Sequence, residues 1–389
     1  MANPVLIDGA RTPHGSYLGA LAERGAVALG ATAISGLVDR TRIDPDAVDW
    51  LVLGNSIPAG VGQVPARQAG LQAGLPDGLP ATTVNEASGS GLRAIALAAD
   101  RIEAGRARFA IAGGMESMSN APYLVPASVR RGTRHGDLRV RDAMIYDALW
   151  DVGYDAHMGT LTEALVDRFE ISRETQDEYA LESHRRAARS VDEGHFDDEL
   201  VPVELDDGVL ERDEGPRRET NLEQLGQLTP AFSADGTITA GNASDLNDGA
   251  GCVLVGSEAA AHDAGFEPMG EIVDYATAYR DPKWFSVAVG DVVERLLDAN
   301  GLAVDDVDAF ELNEAFAAQM VYVRDRLGIP DEAFNPRGGA IALGHPIGAS
   351  GGILTTTLLY ALRDFDGELG IVGMSVGGGG AIAMLVRRR

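Results

Sequence analysis

Short apolar runs that end in glycine alternate along the chain with stretches whose apolar positions recur at helical spacing. That alternation predicts an α/β protein in which strands turn sharply into helices, with glycine supplying the turns. WLVLG (50–54), FAIAGG (109–114), GCVLV (251–255) and LGIVGMS (369–375) read as buried strands. ALGATAISGLVDR (28–40) and GDVVERLLDANG (290–301) read as amphipathic helices.

The pattern repeats. DAVDWLVLG (46–54) aligns with DDVDAFELN (305–313), each after an amphipathic helix. ATTVNEASGSGLRAIALAADRIEAG (81–105) parallels NPRGGAIALGHPIGASGGILTTTLLYALRD (335–364), and FAIAGGMESM (109–118) parallels LGIVGMSVGG (369–378). The natural reading is an internal duplication of a βαβ-rich half. Pseudo-symmetry would then carry Ser88 and His345 to comparable loops that converge on one cleft. Residues 117–246 have a different texture, with a helical stretch at 172–194, an acidic, glycine-poor run at Asp197–Glu214 and few long apolar strands. They read as an excursion packed on a double core.

The chain has 389 residues, enough for two or three domains and a sizeable core. Its 59 acidic and 32 basic side chains leave a formal charge of −27, which argues against nucleic acid or anionic membrane as a partner. Lys283 is the only lysine. An acidic surface with arginine as nearly the sole cation resembles that of proteins from salt-in halophiles, although an ordinary acidic cytosolic enzyme also fits. The single cysteine, Cys252, excludes an intramolecular disulfide framework and a cysteine-based metal site. The N-terminus lacks a signal-peptide pattern, and no apolar stretch approaches about 18 residues. A soluble, cytoplasmic protein is the expectation.

Ser88, within Asn85-Glu86-Ala87-Ser88-Gly89-Ser90-Gly91, sits between a strand pattern and a helix pattern starting near Leu92. A helix N-terminus there would stabilise developing negative charge, but a glycine-rich turn with a capping serine fits equally. It is neither a Gly-x-Ser-x-Gly elbow nor a dinucleotide fingerprint. His345 lies in a loop framed by proline and glycine, as a general base or a structural histidine. Asn313-Glu314-Ala315-Phe316 and Ser375 to Gly380 fall where the duplication predicts convergence. An asparagine amide or exposed glycine N–H groups there could hold an oxyanion.

Taken together, Val84-Asn85 with Ser88 to Gly91, Ala112 to Ser119, His157-Met158-Gly159, Ala240 to Ser244, Asn247-Asp248-Gly249, Asn313 to Phe316, Gly338 to Gly348 and the final glycine run resemble the thiolase family over essentially the whole chain. The resemblance implies two βαβαβαββ halves in a five-layer αβαβα sandwich with an inserted loop domain covering CoA. The halves would be 1–116 with 247–267, and 268–389, and the loop domain 117–246. It further implies acyl-CoA and CoA as substrates, no tightly bound cofactor and no metal. Ser88, His345, Ser375 and Asn313 would form the catalytic set, with oxyanion contacts from Ser88, Gly377, Asn313 and His345. His157, Met158 and Ser244 would lie along the pantetheine, and Phe285 and Phe316 at the acyl pocket. The segment 125–143, with Arg130, Arg131, Arg134 and Arg139, falls at the family's tetramerisation loop, so a homodimer or homotetramer is expected.

Three departures bear on function. Ser88 and Ser375 stand where the family has its two catalytic cysteines, and Trp284 to Val289 replaces its Gly-x-Gly-Pro loop. Cys252, in an apolar run, reads as a buried, inert thiol. A hydroxyl needs a base during attack where a thiol ionises near pH 8.5. The sequence therefore leaves three readings. One is a thiolase acting through an acyl-enzyme on Ser88 with His345 as base. Another is a non-catalytic or auxiliary acyl-CoA-binding subunit that needs a small partner. The last is a chain with engineered serines. The retained His345, Asn313 and His157 favour the first.

Overall fold

The structure, a computed structural model, describes residues 2–133 and 135–389, so Arg134 of the 125–143 segment lies outside it. The first half contains β1 (Pro4–Arg11), α1 (Ala26–Thr41), β2 (Trp50–Gly54), α2 (Pro65–Gln72), β3 (Ala81–Val84), α3 (Ser90–Glu103) and β4 (Phe109–Ser117). After α4 (Met158–Phe169) and α5 (Arg173–Asp192), β5 (Asn247–Ser257) returns to the same sheet. The second half contains β6 (Gly270–Tyr279), α6 (Phe285–Asn300), β7 (Ala309–Leu312), α7 (Ala317–Leu327), α8 (Ser350–Asp364), β8 (Leu369–Val376) and β9 (Gly380–Arg388).

The repeat seen in sequence reappears as topology. The strands of the first half lie in the order β3-β2-β4-β5-β1, and those of the second in the order β7-β8-β9-β6. The two sets join where Val5 and Leu6 of β1 pair antiparallel with Glu271 and Gly270 of β6. In the first half β2 runs parallel to both β3 and β4, in the second β7 runs parallel to β8, and the remaining pairs are antiparallel. The second half lacks a third strand: only an isolated bridge joins Phe310 to Phe334. Asn335, in the left-handed region at φ 45°, takes that strand's place. Its Oδ1 accepts from the Leu312 N–H at 2.8 Å and its Nδ2 donates to the Leu312 carbonyl at 3.0 Å, so one side-chain amide mimics a neighbouring peptide.

Helices α1 and α2 cover the outer face of the first half, α6 and α7 that of the second, and α3 and α8 run between the halves. A helix enclosed on all sides must be apolar or small all round. Accordingly every residue of α8 from Ser350 to Leu362 is buried. The shared core joins Leu92 and Ile95 of α3, Leu354 and Leu358 of α8, Val52 and Val253 of one half and Met374 and Met384 of the other. Each such large side chain contributes roughly 1.5–3 kcal/mol on burial. The N-terminal turns of α3 and α8 cross in near backbone contact: a Cβ on Gly351 would fall on the Leu92 amide nitrogen, and one on Gly91 would lie 2.9 Å from the Gly352 nitrogen.

Within 117–246, Ser172 caps α5 by accepting from the Thr175 N–H, in keeping with the helical pattern there. The acidic run 197–214 is not simply a solvated surface. Its Glu199 and Asp213 are buried around Arg11, whose guanidinium donates from Nε to Glu199 at 2.5 Å and from Nη1 and Nη2 to Asp213 at 2.8 and 3.0 Å. This clamp fixes the excursion to the end of β1. No helix among the described residues is long and apolar enough to cross a membrane.

Candidate active site

Ser88 lies on a strained elbow between β3 and α3. Ala87 adopts φ 47°, a region costing a residue with a Cβ roughly 1–2 kcal/mol, so neighbours must hold it there. They do: the Ala87 carbonyl accepts from the Ser90 hydroxyl at 2.6 Å and the Ser56 hydroxyl at 2.8 Å, and Ser90 Oγ also accepts from the Glu86 N–H. Helix α3 begins at Ser90, with no side chain capping it.

His345 reaches the same point from the other half. Its loop turns at Gly344, at φ 112°, where a Cβ would strike the Asn247 amide. The His345 N–H donates to Asn247 Oδ1 at 3.1 Å. His345 Nε2 lies 3.0 Å from Ser88 Oγ and 3.4 Å from Asn313 Nδ2, while Nδ1 lies 2.6 Å from Ser350 Oγ. Ser350 Oγ in turn donates to the Pro346 carbonyl at 3.0 Å. Because that hydroxyl proton is committed, Ser350 accepts from Nδ1–H, and Nε2 is left as the acceptor that faces Ser88. Burial, with the neighbouring His14 as a lesser cause, pushes the His345 pKa down to about 3, so the imidazole is neutral.

Glu116 of β4 ties the two loops together. One carboxylate oxygen accepts from the N–H groups of Ser56 and Gly348, at 2.8 and 2.9 Å, and the other from Asn55 Nδ2 at 2.6 Å. Burial pushes its pKa up to about 7, partly offset by those donors. Glu314 fixes the Asn313 turn by accepting from Tyr179, Ser183, Asn335 and the Ile341 N–H.

Ser375 is buried at the end of β8, and its hydroxyl makes no hydrogen bond to the described residues. The chain beyond it abuts the elbow: a Cβ on Gly89 would meet Val376, and one on Gly377 would lie 3.6 Å from the Ala87 Cβ. Neither the Ser88 nor the Gly377 N–H has a partner among the described residues. The remaining candidates gather farther out. Met158, Phe285 and Phe316 share one apolar cluster, with the Phe285 and Phe316 rings edge to face at 6.5 Å. His157 caps α4 through Nδ1 and stacks on Phe232 at 4.7 Å, and burial lowers its pKa. The segment from Ala243 to Asn247 connects this cluster to His345: Ala243 bridges to Phe316, the Ser244 N–H donates to Ala315, and Leu246 bridges to His345. Among the described residues no group of His, Cys, Asp and Glu is arranged to hold a metal ion.

Residues 4–259 match the family described as thiolase, N-terminal domain, and residues 266–388 match thiolase, C-terminal domain. The chain belongs to the thiolase family. It is 44% identical over 392 residues to an acetyl-CoA acetyltransferase of Escherichia coli (strain K12), with all of both chains covered. It is 42% identical to an acetyl-CoA acetyltransferase of Allochromatium vinosum over 99% of each chain. The crystal structure of the Bacillus anthracis acetyl-CoA acetyltransferase superposes with a TM-score of 0.95 at 35% identity, covering 100% of this chain and 99% of that one. The thiolase fold expected from the sequence motifs is the fold observed.

The motifs quoted for the thiolase resemblance contain Glu116 and Glu314, and Ser350 lies two positions beyond the motif that ends at Gly348, yet the resemblance assigns none of the three a role. Their signal was present only as a glutamate inside an apolar strand, a glutamate beside Asn313 and a serine five positions after His345.

Proposed function

We propose that this chain is an acyl-CoA C-acyltransferase that catalyses reversible condensation of acetyl-CoA and thiolysis of 3-ketoacyl-CoA through an acyl-enzyme on Ser88. The observation that carries this reading is the 3.0 Å pairing of Ser88 Oγ with a neutral His345 Nε2, in a chain that aligns end to end with acetyl-CoA acetyltransferases. Ser88 Oγ attacks the thioester carbonyl as His345 Nε2 takes its proton. The C–S bond then breaks, and the leaving sulfur receives that proton as CoA-SH. The unpartnered N–H groups of Ser88 and Gly377 hold the tetrahedral oxyanion.

For condensation, a proton must leave the methyl group of a second acetyl-CoA. A bare hydroxyl at Ser375 is a poor base, so His345 accepts this proton as well, and Asn313 Nδ2 with His345 steadies the enolate oxygen. The enolate carbon attacks the Ser88 ester, and Ser88 leaves with the proton. His157, Met158 and Ser244 line the path of the pantetheine, and Phe285 and Phe316 close a short acyl pocket. CoA is a substrate in this scheme, and no resident cofactor takes part.

The domain division is part of the same reading, with 117–246 covering CoA. So is assembly into a dimer or tetramer through 125–143, with room for a small accessory subunit. One lysine and a charge of −27 support a cytoplasm rich in salt, and the acyl-CoA substrates of this reading support a place in lipid metabolism. The test is CoA-dependent cleavage of acetoacetyl-CoA in molar KCl by the native protein and by Ser88→Ala. Cleavage lost in the variant supports the reading. No cleavage by either would point to an acyl-CoA-binding subunit.

A further inference from the structure

The imidazolium that His345 must become has no carboxylate touching it. In hydroxyl–imidazole centres a buried acid normally meets that need, orienting the ring and balancing its charge. Here Nδ1 meets only the Ser350 hydroxyl. Behind Ser350 lies a cavity of about 20 Å³, bordered among others by Ser350, Asn313, His14, Arg11 and Glu311. That is room for a single water, which requires about 10–15 Å³ and two or more polar partners.

Glu311 is the unusual member of that lining. It is 1% exposed, and neither carboxyl oxygen has a hydrogen-bond partner. It lies two residues before Asn313 at the end of β7, where alternate residues face the same side. An orphaned buried carboxyl costs free energy and calls for an explanation.

We propose that Glu311 is a positioning residue and the counter-charge for His345, acting through one water in this cavity and through Ser350. The water donates one O–H to Glu311 and the other to the free lone pair of Ser350 Oγ. Ser350 keeps its own proton on the Pro346 carbonyl and accepts from Nδ1–H. No proton changes owner along this path, and the ionised carboxylate stabilises the imidazolium formed when Nε2 takes the Ser88 proton.

The groups facing Glu311 are Arg337, Arg186, Glu199 and Glu314, with Arg11 and His14 across the cavity. Burial pushes its pKa up to about 8, Arg337 and Arg186 opposing and Glu199 and Glu314 reinforcing the shift. The counter-charge is therefore switched on as pH rises through that value.

This inference rests on Ser88 being the acylated residue. The test is the single-turnover release of CoA from acetyl-CoA, a half-reaction that needs no incoming CoA thiol, followed from pH 6 to 9.5 in molar KCl. The native protein should release CoA at a rate that rises about tenfold around pH 8. In Glu311→Gln the rate should stay at the low-pH level throughout, with KM unchanged. Glu311→Asp should restore part of the rise. A native rate independent of pH over this range, or a Glu311→Gln profile equal to the native one, overturns the role of Glu311 while leaving Ser88 acylation intact. No CoA release by the native protein overturns Ser88 acylation and this inference together. The native profile decides even if the variant fails to fold.

Discussion

Ser88 and His345 are 257 positions apart in the chain, and their Oγ and Nε2 atoms are 3.0 Å apart. Each stands just before the N-terminal turn of a central helix, Ser88 ahead of α3 and His345 ahead of α8. The pairing exists because those helices are pseudo-equivalent and meet at glycines, where no side chain separates the backbones. A single methyl group at Gly351 would push the two loops apart.

A thiol at position 88 would convert this centre to the usual thiolase chemistry. Ser88→Cys should be alkylated by iodoacetamide in the folded state and should cleave acetoacetyl-CoA faster than the native chain. The native protein should resist labelling until unfolded, because Cys252 is buried and its pKa is pushed up to about 12. Mass spectrometry of labelled protein with and without denaturant reads both outcomes.

Ser350 fixes which imidazole nitrogen faces Ser88. In Ser350→Ala, Nδ1–H loses its acceptor and the tautomer with the proton on Nε2 gains population. The rate of acyl transfer should fall at least tenfold with little change in KM, since wrong-tautomer centres can lose up to about 10⁴. Steady-state kinetics at pH 7 check this.

Much of this arrangement is legible in the amino-acid sequence. The match of 46–54 with 305–313 became β2 and β7, and the convergence of Ser88, Asn313 and His345 followed from the duplication. What stayed hidden depends on side chains replacing backbone or meeting over long separations. Asn335 substitutes for a strand with one amide, which leaves no periodic pattern to read. The partners of Arg11 are 188 and 202 residues away in a run that looks like solvated acid. Glu311 and Glu116 are carboxylates within apolar strands, and only the folded neighbourhood separates the orphaned carboxyl from the satisfied one.

The Arg11 clamp should be a stability determinant independent of chemistry. Asp213→Asn leaves a buried guanidinium without one of its charge partners, and breaking such a pair costs roughly 3–5 kcal/mol. Denaturant unfolding in molar KCl should show that loss for Asp213→Asn, and a loss below about 1 kcal/mol for the exposed pair of Arg24 with Asp206.

Glu311 should trade stability for its charge. Its folded pKa of about 8 lies above the unfolded value of 4.5, so between those values the native state holds a proton that the unfolded chain has lost. The contribution of this group to stability therefore falls as pH rises through that window, by at most about 1.4 kcal/mol per unit. Glu311→Gln should match the native protein in stability at pH 4 and exceed it at pH 9. Thermal unfolding at the two pH values separates this outcome from a uniform shift, which a purely steric effect would give.

The most direct test of the central chemistry is the mass of the protein quenched in acid after mixing with acetyl-CoA in molar KCl. One acetyl group on the peptide containing Ser88, lost on adding CoA and absent in Ser88→Ala, is the expected result. An acetyl group on any other residue, or none on a chain that still cleaves acetoacetyl-CoA, would contradict a serine-based acyl-enzyme.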